Sequence, residues 1–291
     1  MIGSLAQRFT LSAMAAVSLL CSSGTGGAHA ETTRERVLRE GRIVIGIHNR
    51  SPWGFRDEKT GEPTGWHPDL LKAAFAELGV KKLEIQVTEF GALIPGLLAG
   101  RFDAAASGLA ITPERCEQVA FGAPDLQAPD AAIVLAGNPK NIHGYADISG
   151  NESIIMGAGR GSVVTRNATA AGVPETRMLL FPDIESNVSA LRAGRIDVAV
   201  ISSPTVIGLL AGKGAAGLER ALPFDVGKAQ TNFAAIAFRK EDDDLRATYD
   251  EQLAKLKKTP AFTAIMRKYG FGKPEAVASG VTAAELCNEQ P

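Results

Sequence analysis

Hydrophobic and polar positions follow two periods in this chain. Arg42-Ile43-Val44-Ile45-Gly46-Ile47 is a short β-branched run that predicts a strand, and Ser51-Pro52 is the turn signal after it. From Asp69 to Leu78 the apolar residues Leu70, Leu71, Ala74, Phe75 and Leu78 fall at helical spacing. Lys82 to Val87 then alternates as a second strand. The succession returns further on, with a strand over Ser153 to Gly157, a helix starting near Val163, and a strand over Arg177 to Phe181. A β-α-β-α-β order that appears twice predicts parallel sheets with crossover helices.

A near-repeat ties the two halves together. Leu97-Leu98-Ala99-Gly100-Arg101-Phe102-Asp103-Ala104-Ala105 recurs as Ala190-Leu191-Arg192-Ala193-Gly194-Arg195-Ile196-Asp197-Val198-Ala199. Each copy reads as a helix end, a Gly in the left-handed cap, and a buried strand. Ile94, Leu97 and Leu98 before one Gly, and Val188 and Leu191 before the other, keep helical spacing. Two α/β lobes of similar build follow. Strands near Ala131 to Leu135 and Asn232 to Phe238 are read as the crossovers between them. Helices over Asp242 to Lys257 and Pro260 to Tyr269 return the chain to the first lobe. Glu241 and Asp242 to Asp244 read as a solvated acidic face at a helix start, where negative charge suits the macrodipole.

Composition narrows the function. The 291 residues carry 31 Lys+Arg against 32 Asp+Glu, a net charge of -1, with no basic block. That balance gives no field to attract a polyanion, so nucleic acid is not an expected partner. Arg8, the apolar run Leu11 to Leu20 and Ala28-His29-Ala30 form a secretory leader, cleaved after Ala30. After it, no apolar stretch is long enough to cross a membrane. Cleavage removes Cys21 and leaves Cys116 and Cys287. In an oxidising compartment that pair favours a disulfide over two separate thiols.

Ligands of two-lobed parallel sheets sit beyond the carboxyl ends of the strands, here just after Ile47, Val87, Gly108 and Gly157. Trp53 and Phe90 could floor such a site for a flat or cationic ligand; Trp53, between Pro and Gly in a loop, reads as a surface residue. Ser107, Gly108 and Ala110 bring small residues to the third strand end. Thr112 is a good N-cap and Pro113 suits the first turn, which places Arg115 to grip a carboxylate bidentately. Ser162, at a helix start in the other lobe, offers a hydroxyl and backbone N–H groups to the same anion. A structural ion pair is the plainer reading of Arg115 alone.

The stretches Gly91-Ala92-Leu93-Ile94-Pro95-Gly96-Leu97, Gly100-Arg101-Phe102-Asp103 and Ile111-Thr112-Pro113-Glu114-Arg115 resemble the polar-amino-acid family of periplasmic solute-binding proteins, the receptors of ABC importers. Thr112-Pro113-Glu114-Arg115-Cys116, Gly137-Asn138-Pro139 and Ala284-Glu285-Leu286-Cys287 are most similar to its ectoine and hydroxyectoine branch. The resemblance implies the two-lobed α/β periplasmic-binding fold (type II), hinged on two crossover strands. Residues 31–134 and 232–291 would form one lobe with the C-terminal tail, and residues 135–231 the other. It implies a carboxylate on Arg115, helped by Ser162 and the backbone near Gly108, and ring stacking by Trp53 and Phe90. Binders of ordinary amino acids carry an acid where this chain has Ile201-Ser202-Ser203-Pro204; Ser202 there leaves an ammonium without that anchor. Ala110 stands where ectoine binders place a third aromatic, and Arg50 where they place an acid. Arg50 suits a ligand with a second negative group. The expected ligand is a relative of ectoine, such as its ring-opened acid, or another zwitterion. The expected partners are a small zwitterion and a membrane permease, with no cofactor and a monomeric chain in the periplasm.

The competing reading is a dehydratase-type enzyme on the same fold, acting on a small cyclic acid. It needs a general acid or base in the cleft. Glu89 reads as a rim residue and His67 as a surface or capping one. His48, directly after the first strand, has no paired acid in the sequence. The four His residues show no metal-ligand spacing.

Overall fold

The protein is described by a computed structural model covering residues 30–227 and 232–288. The leader read at residues 1–30 lies outside these residues, except for Ala30. Thr32–Pro291 is one compact unit.

Lobe 1 starts with α1 (Thr33–Glu40) and β1 (Arg42–Ile47), then a hairpin of β2 (Phe55–Arg56) and β3 (Pro63–Thr64). It continues through α2 (Trp66–Phe75), β4 (Lys82–Val87), α3 (Leu93–Leu98), β5 (Ala104–Ala110) and α4 (Pro113–Cys116) to β6 (Ala120–Phe121) and β7 (Leu126–Gln127). Lobe 2 holds β8 (Asp130–Leu135), α5 (Tyr145–Gly150), β9 (Met156–Gly159), α6 (Val163–Ala170), β10 (Met178–Phe181), α7 (Ile184–Arg192), β11 (Val198–Ser202), α8 (Ser203–Leu210) and β12 (Leu218–Arg220). The chain returns to lobe 1 as β13 (Phe233–Phe238), α9 (Asp243–Leu256), α10 (Pro260–Lys268) and α11 (Ala283–Asn288).

The two sheets share one plan. In lobe 1 the order is β4-β1-β5-β13-β6, with β7 also on β13; in lobe 2 it is β10-β9-β11-β8-β12. Each has three parallel strands followed by an antiparallel one, β13 or β8. The near-repeat explains the likeness. Gly100 and Gly194 both take positive φ, 68° and 65°, and end their helices. Asp103 then accepts the Val44 N–H at 2.9 Å and donates its own N–H to the Val44 carbonyl. Asp197 does the same with Ile155. Each Asp thereby sets the register of the next strand from its own side chain. Apolar side chains cover both faces of each sheet, led by Ile43, Ile45, Leu70 and Tyr249 on one face of lobe 1 and by Leu93, Leu97 and Phe102 on the other.

Three expectations change. The strand read at Ser153 to Gly157 is Met156–Gly159, because Asp197 engages the backbone of Ile155 and ladder pairing starts one residue later. The apolar strands read as crossovers are sheet members, β8 in lobe 2 and β13 in lobe 1. Their burial on both faces, not a hinge role, makes them apolar. The first crossing falls between Gln127 and Asp130, ahead of the 134/135 boundary read from the sequence, and the second ahead of β13. Finally, Asp242 is buried rather than solvated. It pairs with Arg239, which also donates to the carbonyls of Leu97 and Phe102.

Cys116 and Cys287 form a disulfide with Cα atoms 5.7 Å apart. It ties α11 to α4, and Leu286 packs into the same apolar cluster as Leu109 and Ile111.

Candidate ligand-binding cleft

The carboxyl ends of β1, β4 and β5 face those of β9, β10 and β11, and a cavity lies between them. Arg50, Phe90, Gly108, Ala110, Arg115, Ser162 and Ser202 all line it. Arg115 is held by its own short helix. Thr112 caps α4 by accepting the Arg115 N–H, and Pro113 occupies the first turn. The guanidinium donates to the Ala110 carbonyl at 2.8 Å and, across the cleft, to the Gly161 carbonyl at 2.9 Å. Arg50 and Arg115 both approach the Phe90 ring, 5.3 Å and 5.8 Å from its centroid. Burial pulls both guanidinium pKa values down to about 10. Both stay charged at neutral pH, and among the described residues neither pairs with a carboxylate. The Arg50 Nε is buried without a hydrogen-bond partner. Two half-buried cations therefore face the cavity, and a partly desolvated charge with no paired carboxylate favours the arrival of an anion.

Ser162 caps α6, its Oγ accepting the Val164 N–H. Ser202 Oγ lies 2.8 Å from Thr205 Oγ1. The His48 ring edge lies on Phe90, and its Nδ1 meets the Thr88 carbonyl. Burial, reinforced by Arg50, lowers the His48 pKa.

Trp53 and Ser107 lie outside this lining. Trp53 is only 1% exposed, so the surface role read from its loop is corrected. Its indole lies beneath Gly108, where an added Cβ would fall 2.4 Å from the ring; Gly108 has φ +72°. The bare backbone of β5 lets the loop fold under the strand, and the indole Nε1 donates to Thr205 Oγ1 of lobe 2 at 2.9 Å. Ser107 is buried and accepts the His48 N–H. His67 is fully buried, not a surface or capping residue. Its Nδ1 accepts the Gly108 N–H, and its Nε2 faces Asp125, which also accepts from the Trp66 indole. This triad fixes the backbone at the cavity floor.

The polar lining residues that escaped the sequence reading include Asp183, Asn232 and two that are buried, Asp130 and Asn187. Asp130 accepts from the Tyr145 hydroxyl and the Asn167 amide, both at 2.7 Å, and more distantly from Asn232. Burial raises its pKa, partly offset by Asn167 and Tyr145. Asp130 lies opposite Ser202 in the β8–β11 pairing. Asn187, on α7, is the other. The sequence signal for each was a polar residue inside an apolar pattern.

Contacts span the cleft on both sides of the cavity. Arg166 grips both carboxylate oxygens of Glu114, at 2.7 Å and 2.8 Å, and Arg160 stands 3.6 Å from Glu89. Gly208 of α8 seats against Pro52, where an added Cβ would lie 2.8 Å from Pro52 Cδ. Gly208→Ala is expected to leave the unliganded protein as stable or slightly more so, since Ala favours helix. It should weaken ligand binding about tenfold by disfavouring the closed arrangement. Titration calorimetry beside a thermal melt checks this; unchanged affinity would mean α8 does not seat on Pro52 when ligand is bound.

Comparison with known proteins places the chain. Residues 43–273 match the bacterial extracellular solute-binding proteins, family 3, and the chain belongs to that family. A probable amino-acid ABC transporter periplasmic-binding protein, y4tE of Sinorhizobium fredii, is 36% identical over 285 residues, covering 95% of this chain and 92% of the relative. The histidine-binding periplasmic protein of Salmonella typhimurium is 26% identical over 218 residues, 72% of this chain and 80% of its own. Among solved structures, EhuB in complex with hydroxyectoine is 34% identical with TM-score 0.80, covering 90% of this chain and 100% of that one. The ancestral amino-acid-binding protein AncCDT-1, a precursor of cyclohexadienyl dehydratase, is 26% identical with TM-score 0.72, covering 82% and 99%. The fold is that of the type II periplasmic binding proteins. No helix among the described residues is long and apolar enough to cross a membrane.

Proposed function

We propose that this protein is the extracytoplasmic receptor of an ABC importer, capturing a small amino-acid-like zwitterion by lobe closure. Residues 1–30 direct export and are removed after Ala30, and the mature chain works as a monomer that delivers its ligand to a membrane permease. The observation that carries the reading is the pair of half-buried guanidinium groups, Arg115 and Arg50, facing one cavity that also holds Asp130. Arg115 takes the ligand carboxylate, with Ser162 and the cleft backbone beside it. Asp130 balances the ligand cation. Arg50 takes a second electron-rich group. Ectoine, hydroxyectoine or a related compound such as the ring-opened acid fits this division, and the likeness to EhuB supports it.

Two features favour a related compound over ectoine itself. Ala110 supplies no third ring, and Phe90 already faces two guanidinium groups, which leaves less aromatic surface for a ligand cation. Binding rather than dehydration is supported by the histidines. His67, hydrogen-bonded to Asp125, is sealed beneath Gly108, and His48 points its Nδ1 at a backbone carbonyl. Relatives carry binding-protein names as well.

Thermal shift of residues 31–291 against ectoine, hydroxyectoine, the ring-opened acid, proline derivatives and acidic, basic and neutral amino acids tests this, with calorimetry on the hits. At least one zwitterion should bind at micromolar concentration or below and return chemically unchanged. Binding by none of them, or their conversion during incubation, would overturn the reading.

A further inference from the structure

Asn187 sits on α7 at a position that the helix otherwise gives to Ile184, Val188 and Leu191, which pack into the lobe 2 core. It is 1% exposed and lines the cavity. Among the described residues, neither its Nδ2 nor its Oδ1 has a hydrogen-bond partner. The fold makes room for this side chain: an added Cβ at Gly157 of β9 would fall 2.3 Å from the Asn187 oxygen. A buried amide with both ends unpaired is destabilising, and a plain leucine would continue the apolar stripe without that cost.

We infer that Asn187 is a specificity-determining residue that reads a neutral hydrogen-bonding group of the ligand, a hydroxyl or a carboxamide. This rests on the proposed capture of a zwitterion in this cleft and adds which zwitterions it favours. Both amide atoms need partners, so the matching group must donate and accept together. A hydroxyl does so with one oxygen, and a carboxamide does so with its N–H and C=O. An ammonium would satisfy Oδ1 while facing the Nδ2 donor, and a carboxylate would satisfy Nδ2 while facing Oδ1. Charged groups are better served by Asp130, Arg50 and Arg115 of the same cavity. Within ectoine chemistry the reading is concrete. Hydroxyectoine adds a hydroxyl to ectoine, and hydrolysis of the ectoine amidine ring leaves an acetamide, so both derivatives carry the group that ectoine lacks.

Asn187→Leu and Asn187→Ala test the inference on residues 31–291. Without ligand, both variants should melt at or above the wild-type temperature, because each removes two unpaired polar atoms from a buried site. Calorimetric titration should show that wild type prefers hydroxyectoine or the ring-opened acid over ectoine. Both variants should lose about tenfold or more of that preference, with ectoine affinity held within about threefold. A fall of several degrees in both unliganded melts would assign Asn187 to the core and overturn the inference. Equal losses for ectoine and its derivatives, or a wild type that binds zwitterions with no such preference, would overturn it while leaving the proposed function intact. A wild type that binds no zwitterion defeats the proposed function instead; the unliganded melts then decide alone between a core role and a binding role for Asn187.

Discussion

Arg115→Ala is expected to weaken ligand binding by several hundred-fold while leaving the unliganded protein folded. Truncating one partner of a buried, hydrogen-bonded charge pair costs about 2–5 kcal/mol. The loss should lie towards the upper half of that range, because Arg115 also bonds the Gly161 carbonyl across the cleft and so contributes to closure. In the unliganded protein the same change removes a half-buried cation that pairs with no described carboxylate, which offsets the loss of its two carbonyl bonds, so its melting temperature should hold. Arg115→Lys should recover only a small part, since an ammonium cannot make the two parallel bonds of a guanidinium. Calorimetry with whichever zwitterion binds wild type decides the matter. A loss of less than about tenfold would remove Arg115 from the carboxylate site and return it to a structural role.

Cutting the disulfide should be the largest single change in stability. Cys116 and Cys287 are 171 residues apart, so the bridge restrains the unfolded chain by at most about 5 kcal/mol in the loop-entropy account. The double change to serine, or reduction of the native protein, should lower the melting temperature by about 10 °C. Ligand affinity should fall only a few-fold, because Thr112 still caps α4 and Arg115 still reaches both carbonyls. Scanning calorimetry with a reductant control gives the answer. A melting temperature within about 2 °C of the oxidised protein would show that Leu286 and its neighbours hold the tail without the bridge.

What the sequence made legible was what periodicity and caps encode. The strand at Arg42–Ile47, the Arg115 helix with its Thr112 cap, and the Gly100 and Gly194 turns are where the pattern put them. These are local matters, decided within a few residues. Trp53 and His67 were not legible, because their burial depends on Gly108 more than forty residues away along the chain. Nothing in the Pro-Trp-Gly loop says that a distant strand leaves its backbone bare to receive an indole. Asp130 and Asn187 fall between these cases. Asp130 opens an apolar strand directly after Pro129, and Asn187 follows Ile184 by three on a helix whose other face positions are apolar. A polar residue on a stripe that is otherwise buried marks a candidate contact, although only the folded cleft separates a ligand contact from a satisfied core group.

The place of β13 bears on the order in which the molecule can be finished. Phe233–Phe238 lies between β5 and β6 in the sheet of lobe 1, although all of lobe 2 precedes it in the chain. As the polypeptide emerges amino end first, lobe 2 has every one of its strands before lobe 1 has β13, which joins β5 to β6. Lobe 2 can therefore settle as a contiguous unit, while lobe 1 waits with an open seam beside β5. The seam lies beside Gly108 and Ala110, so lobe 1's share of the cleft takes shape last, and a chain stalled before residue 233 would present a formed lobe 2 with nothing to close against.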